Sequence, residues 1–158
     1  MLNQFFINVV LAVVWMFLQP TLAWENFVVG YVLGLLIMYF VVGRLKTRFY
    51  MSAVVAFILL LLAFLYEVMR SSVRVSYLIL HPRMPVTPGL VSVPLDVKSP
   101  GAITCLAAMV TMAPGTFSVE LSDDRSHLYI HALEADDPEA VAADIKHRLE
   151  RRILQVWR

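Results

Sequence analysis

The chain has 158 residues, 59% of them apolar and 16% charged, with a mean hydropathy of +0.72. Soluble domains carry roughly 45–50% apolar and about 25% charged residues, so a single water-soluble globule is excluded, and an integral membrane protein with room for one small domain is left. A formal charge of +1 offers no basic field to nucleic acid, and the lone Cys105 excludes an internal disulfide or a multi-cysteine metal site.

Residues 1–66 hold four charged groups, Glu25, Arg44, Lys46 and Arg48; every other charge lies from Glu67 onward. So sharp a break marks two solvents, bilayer first and water second. The uncharged stretches predict about three transmembrane helices, over 3–19, 26–43 and 51–80, in a membrane region of residues 1–80. The first run ends at Gln19-Pro20, and no Lys or Arg precedes it, so a spanning helix is expected there in place of a cleaved signal. In the second helix Gly30 and Gly34 stand four apart, which removes side chains from one stripe and lets another helix approach. That helix could come from this chain or another, and both glycines are candidate subunit-interface residues.

No proline interrupts residues 51–80, and 30 helical residues would run about 45 Å, longer than a hydrocarbon core of about 30 Å. In the second half, helical spacing gathers Glu67, Arg70, Arg74 and His81 on one side and Val68, Val75 and Ile79 on another. Two readings stay open: headgroup contact at the membrane boundary, or a docking face for a partner subunit with Glu67, Arg70 and Arg74 at the interface. The deep portions of all three helices carry no Asp, Glu, Lys, Arg or His. An ion path needs such a group or an oxygen-rich site at mid-membrane depth, so this polypeptide alone is a poor candidate for one.

Three prolines and a glycine make residues 81–89 a linker. Beyond it, residues 90–158 are expected to form a soluble βαββα domain with helices on one face of a sheet. Val91, Val93 and Leu95 alternate as a strand, and Pro94, which cannot donate to a ladder, assigns that strand to an edge or bulge. Ser99-Pro100 opens a helix with Ile103, Leu106, Ala107 and Val110 inward. Pro114 and Gly115 stop it in a structural turn. Phe117, Val119 and Leu121 alternate as a second strand, and Leu128, Ile130 and Ala132 as a third, joined as a hairpin through Asp123–Ser126. Asp137-Pro138-Glu139 starts a last helix with Val141, Ile145, Leu149 and Ile153 inward.

Site chemistry is sparse. His127 and His131 share a strand face but lie about 13 Å apart at strand rise, too far for one metal. Cys105 lies off the inward stripe of its helix without a local His and reads as an inert thiol. Asp136, Asp137 and Glu139 lack the spacing of a calcium loop and read as a helix start. Phosphate-loop, GxSxG and CxxC patterns are absent from the sequence. No catalytic, metal or cofactor site is expected, and the chain is not expected to be an enzyme.

Four segments carry a family resemblance: Asn26-Phe27-Val28-Val29-Gly30-Tyr31-Val32-Leu33-Gly34, Tyr66-Glu67-Val68-Met69-Arg70-Ser71-Ser72, Val110-Thr111-Met112-Ala113-Pro114-Gly115-Thr116 and Leu128-Tyr129-Ile130-His131-Ala132-Leu133. Over nearly its whole length the chain resembles the E-type subunit of the Mrp-type (Mnh, Sha or Pha) multisubunit monovalent cation/proton antiporters. The Thr-x-x-Pro-Gly-Thr turn and the Leu-Tyr-Ile-His-Ala strand are the most specific parts. The resemblance implies a bacterial inner-membrane complex that exchanges protons for sodium or potassium. Its large complex-I-like subunits hold the ion paths, and small membrane subunits, this one among them, serve assembly or stability. The alternative is a membrane-anchored regulatory or ligand-binding module. Arg44, Lys46 and Arg48 compete with Arg70, Arg74 and Arg83 for the inner side; the unprotected thiol favours a cytoplasmic C-terminal domain.

Overall fold

A computed structural model describes residues 2–44, 49–82 and 86–157. Lys46, Arg48 and Arg83, three of the charges that compete over topology, lie outside the described residues, as does 83–85 of the expected linker. The chain divides into two compact units, residues 1–55 and 56–158.

The first unit contains α1 (Leu2–Phe17), α2 (Trp24–Arg44) and the start of α3 (Tyr50–Leu80). Pro20 lacks the amide that would carry α1 further, and the helix closes with Leu18 N–H on the Val14 and Trp15 carbonyls. Asn26 Nδ2 donates to the Thr21 carbonyl at 2.7 Å and ties the connection to the first turn of α2. Gly34 meets Asn8 and Gly30 meets Ala12 and Trp15, so the two helices run antiparallel as a hairpin. Two described helices, α2 and α3, are long and apolar enough to cross a bilayer. With 16 residues, α1 is about 24 Å long, short of the hydrocarbon thickness.

The second unit joins residues 56–80 of α3 to an α+β domain. Its elements are β1 (Gly89–Pro94), α4 (Pro100–Met112), β2 (Thr116–Leu121), β3 (His127–Ala132), α5 (Pro138–Ile145), a π-turn at Lys146–Glu150 and α6 (Arg151–Val156). The sheet is antiparallel in the order β1-β3-β2, which puts the proline-bearing β1 at an edge, where its missing donor costs no ladder bond. Ser99 Oγ accepts from Ala102 N–H, and Asp137 Oδ1 from Ala140 N–H, each with proline in the first turn. Val91, Val93, Leu128, Ile130 and Ala132 form the inward sheet face, packed with Ile103, Leu106 and Val110 of α4 and with Ile145, Leu149 and Ile153. Full burial of such a side chain contributes roughly 1.5–3 kcal/mol. Leu60 of α3 belongs to this core and Phe64 packs against it, so the small domain completes its core with the helix that precedes it.

The alternation read for β2 is corrected. Phe117 and Val119 are exposed, and Thr116 and Ser118 stand opposite the inward Ala132 and Ile130. A bulge between Ser118 and Glu120 then shifts the phase, so that Leu121 does turn inward, opposite Leu128. Hydroxyls explain the reversed phase. Thr116 Oγ1 donates to Val110 O at 2.7 Å, Ser118 Oγ donates to Ala107 O at 3.0 Å, and Thr111 Oγ1 accepts Ser118 N–H at 3.2 Å. Small hydroxyl side chains thus stitch β2 to α4 where two large apolar ones would force them apart.

Candidate functional site

The charged face of α3 is matched within the chain. Glu67, Ser71, Arg74, Val75 and Leu78 recur at helical spacing and line a cleft of about 160 Å³ with Pro114, Gly115, Thr116, Glu134 and Asp144. Glu67 Oε2 accepts from Arg148 Nη1 at 3.0 Å, while Glu67 Oε1 lies 3.5 Å from Arg70 Nη1. Arg148 in turn pairs with Asp144, and Arg70 reaches Asp144 Oδ2 at 3.7 Å. Arg74 holds Glu134 with both arms of its fork, at 2.5 and 2.9 Å. Arg70 and Arg74 on the cleft wall, with Arg148 beside it, pair with Glu67, Asp144 and Glu134, so each carboxylate of the cleft already has an arginine partner. Val75, expected on a different side from Glu67, shares the cleft with it.

The turn at Pro114-Gly115 shapes the wall of that cleft. Gly115 has φ +93°, a conformation that favours glycine, and a Cβ there would stand 3.2 Å from Val75 Cγ2. Its carbonyl accepts Leu133 N–H at 2.9 Å. The Thr-x-x-Pro-Gly-Thr segment and the β3 segment therefore meet at one place and seat α3.

Gly30 and Gly34 lie against α1. A Cβ on Gly30 would stand 2.7 Å from Trp15 Cβ and 2.9 Å from the Ala12 carbonyl oxygen, and one on Gly34 would overlap Asn8 Oδ1. Asn8 is fully buried; its Nδ2 donates to Tyr50 Oη at 2.9 Å, and the Tyr31 and Tyr50 hydroxyls are 3.0 Å apart. Tyr50 N–H donates to Gln4 Oε1 at 2.9 Å. The sequence criterion of an ionisable or oxygen-rich group inside the apolar helices did not register this cluster of amides and hydroxyls. The signal was present as Gln4 and Asn8, amides inside an apolar run. The pairing partners Glu134, Asp144 and Arg148 were missed as well, since each is far from α3 in sequence.

The remaining polar residues have local tasks. Asp137 caps α5, and Asp136 accepts a hydrogen bond from the Thr87 hydroxyl. His127 Nδ1 lies 2.7 Å from Ser126 Oγ, and His131 is exposed on the outer sheet face. Ser122 and Ser126 donate to Asp124 and hold its carboxyl at about 2. Burial pushes the half-buried Cys105 thiol up, away from the reactive thiolate. Among the described residues, no group of three or more His, Cys, Asp or Glu is placed to hold a metal.

Apolar helices long enough to cross a bilayer, continued into an α+β domain that seats one of them through paired charges, define a membrane-associated α+β protein. The chain is 35% identical to the E-type subunit of the Na(+)/H(+) antiporter of Alkalihalophilus pseudofirmus, over 97% of both chains. It is 34% identical to the antiporter subunit of the same name from Bacillus subtilis, over 98% of both. A chain from the structure of the membrane-bound sulfane sulfur reductase, an archaeal respiratory membrane complex, shares its fold, with TM-score 0.56, 23% identity and 96% coverage of each. The sequence signature of the Na+/H+ ion antiporter subunit family spans residues 8–156. The chain belongs to that family.

Proposed function

We propose that this chain is the E-type accessory subunit of a multisubunit Na+/H+ antiporter, a scaffold for other subunits that does not carry the ion path. The observation that carries this reading is the self-neutralised seam. The ionisable groups of α3, Glu67, Arg70 and Arg74, are paired with one another or with Glu134, Asp144 and Arg148 of the same chain. A transporting carboxylate must release and rebind its ion, whereas a carboxylate held by an arginine works as a brace. The cleft beside α3, at about 160 Å³, is below the roughly 300–1,000 Å³ of small-molecule sites, so its charges read as a brace and not as a ligand pocket. In this reading α1 lies in the bilayer of the bacterial inner membrane beside α2, three apolar helices anchor the chain, and the domain with its free thiol faces the cytoplasm.

The test separates assembly from affinity. Glu67→Ala and Arg70→Ala should lower the yield of purified antiporter complex several-fold, Glu67→Ala more, because it also strips Arg148 of a partner. The complex that does assemble should keep its apparent cation affinity. A normal yield with a shifted cation affinity would place these residues in transport.

A further inference from the structure

All the charges of α3 from Glu67 onward lie on or beside the side that meets the domain; the opposite side carries Leu62, Tyr66, Met69, Val73, Tyr77 and Leu80, spaced 4, 3, 4, 4 and 3 residues apart. All six are exposed, from 56% at Leu62 to 82% at Leu80. The spacing is that of a helix-packing seam, and it runs about 27 Å. We propose that this stripe seats an apolar helix of a different subunit, one that carries a carboxylate abreast of Arg70.

Lipid tails cannot cover the whole stripe. A hydrocarbon core of about 30 Å accommodates about 20 residues, which from Tyr50 ends near Met69. Val73, Tyr77 and Leu80 continue past that point, through a headgroup layer roughly 5–7 Å deep and into water, where no lipid tail covers the apolar row. Small residues border the row: Ser72 returns its hydroxyl to Val68 O at 2.6 Å, so it presents little bulk and no free donor, and Ser76 is of the same size. A neighbouring backbone could approach closely there. Arg70 borders the other edge, 39% exposed, with its carboxylates at 3.5 and 3.7 Å, and so retains donors for a third. Two copies of this chain crossing one membrane run parallel, and self-pairing would bring Leu65, Ser72 and Ser76 to Arg70, with no carboxylate among them. A different subunit satisfies both the apolar row and the guanidinium.

The inference rests on the accessory-subunit reading. A benzophenone side chain in place of Tyr77, and separately of Met69, is introduced into the chain in its native membrane. The assembled complex is then irradiated, purified and resolved by mass spectrometry. Both positions should yield an adduct with one and the same co-purifying antiporter subunit, and Arg70→Glu should reduce that adduct several-fold. Adducts with lipid alone, adducts with a second copy of this chain, or an intact complex with no protein adduct at either position would overturn the assignment while leaving the accessory-subunit reading in place. Failure of any subunit to co-purify would overturn both.

Discussion

Glu150→Ala should destabilise the C-terminal unit by about 2–6 kcal/mol, roughly 1–3 for each of two backbone amides left without an acceptor. Glu150 is 1% exposed. Its Oε1 accepts Asp96 N–H at 2.6 Å and Val97 N–H at 3.0 Å, and its Oε2 lies 3.4 Å from Lys146 Nζ. The chain after β1 is pinned inward by Leu95 and Val97, both buried, so its amides leave water and need an acceptor. Lys146 in turn donates to the Pro94 carbonyl at 2.8 Å and pairs with Asp96 at 2.9 Å. Burial works against the Lys146 ammonium, but hydrogen bonding to Asp96 and the charges of Glu150 and Asp96 outweigh it and hold its pKa above the ordinary value. Alanine would orphan two amides and leave Lys146 with one carboxylate. Glu150→Gln keeps an acceptor for the amides and should recover part of the loss. Thermal denaturation of the full chain in detergent, followed by circular dichroism, gives the ranking wild type, Gln, Ala; equal midpoints for all three would show that the network adds nothing.

The second large effect belongs to the α1–α2 hairpin. Gly30→Ala and Gly34→Ala should each cost about 1–3 kcal/mol, as overpacking does, but for different reasons. The Gly30 methyl would meet the backbone of α1 at Ala12, which cannot move without the helix. The Gly34 methyl would overlap the end of the Asn8 side chain, with Leu11 Cβ at an ordinary contact distance of 3.5 Å. Asn8→Ala should therefore rescue most of the packing defect of Gly34→Ala and none of that of Gly30→Ala, a non-additivity expected only of residues in contact. Amide exchange of residues 3–17 in the detergent-solubilised chain reads this directly. Strict additivity in both pairs would mean that α1 does not rest on this stripe.

Local chemistry was legible in the sequence, and long-range pairing was not. The Ser99-Pro100 and Asp137-Pro138 starts were readable because a cap is made within four residues. The inward positions of β3, α4 and the last helix were readable because one face dominates their periodicity. The phase of β2 was misread because its apolar residues are the outward ones and its bulge hides the change of phase. The last helix was expected as one piece, but it widens at Lys146–Glu150, where Arg151 N–H reaches back to Lys146 O, the turn from which Glu150 reaches the β1 end. Glu67 and Arg148 are separated by 81 positions, and no spacing rule connects them. Asn8 and Tyr50 escaped for the same reason, as their bond crosses 42 positions.

Whether the chain is a scaffold or a conductor is decided most directly by flux. Purified chain alone in proteoliposomes with an imposed pH gradient should move no sodium or protons above empty vesicles, while the same preparation of the whole complex should exchange both. Exchange by the isolated chain, abolished by Glu67→Ala, would show that it carries an ion path after all.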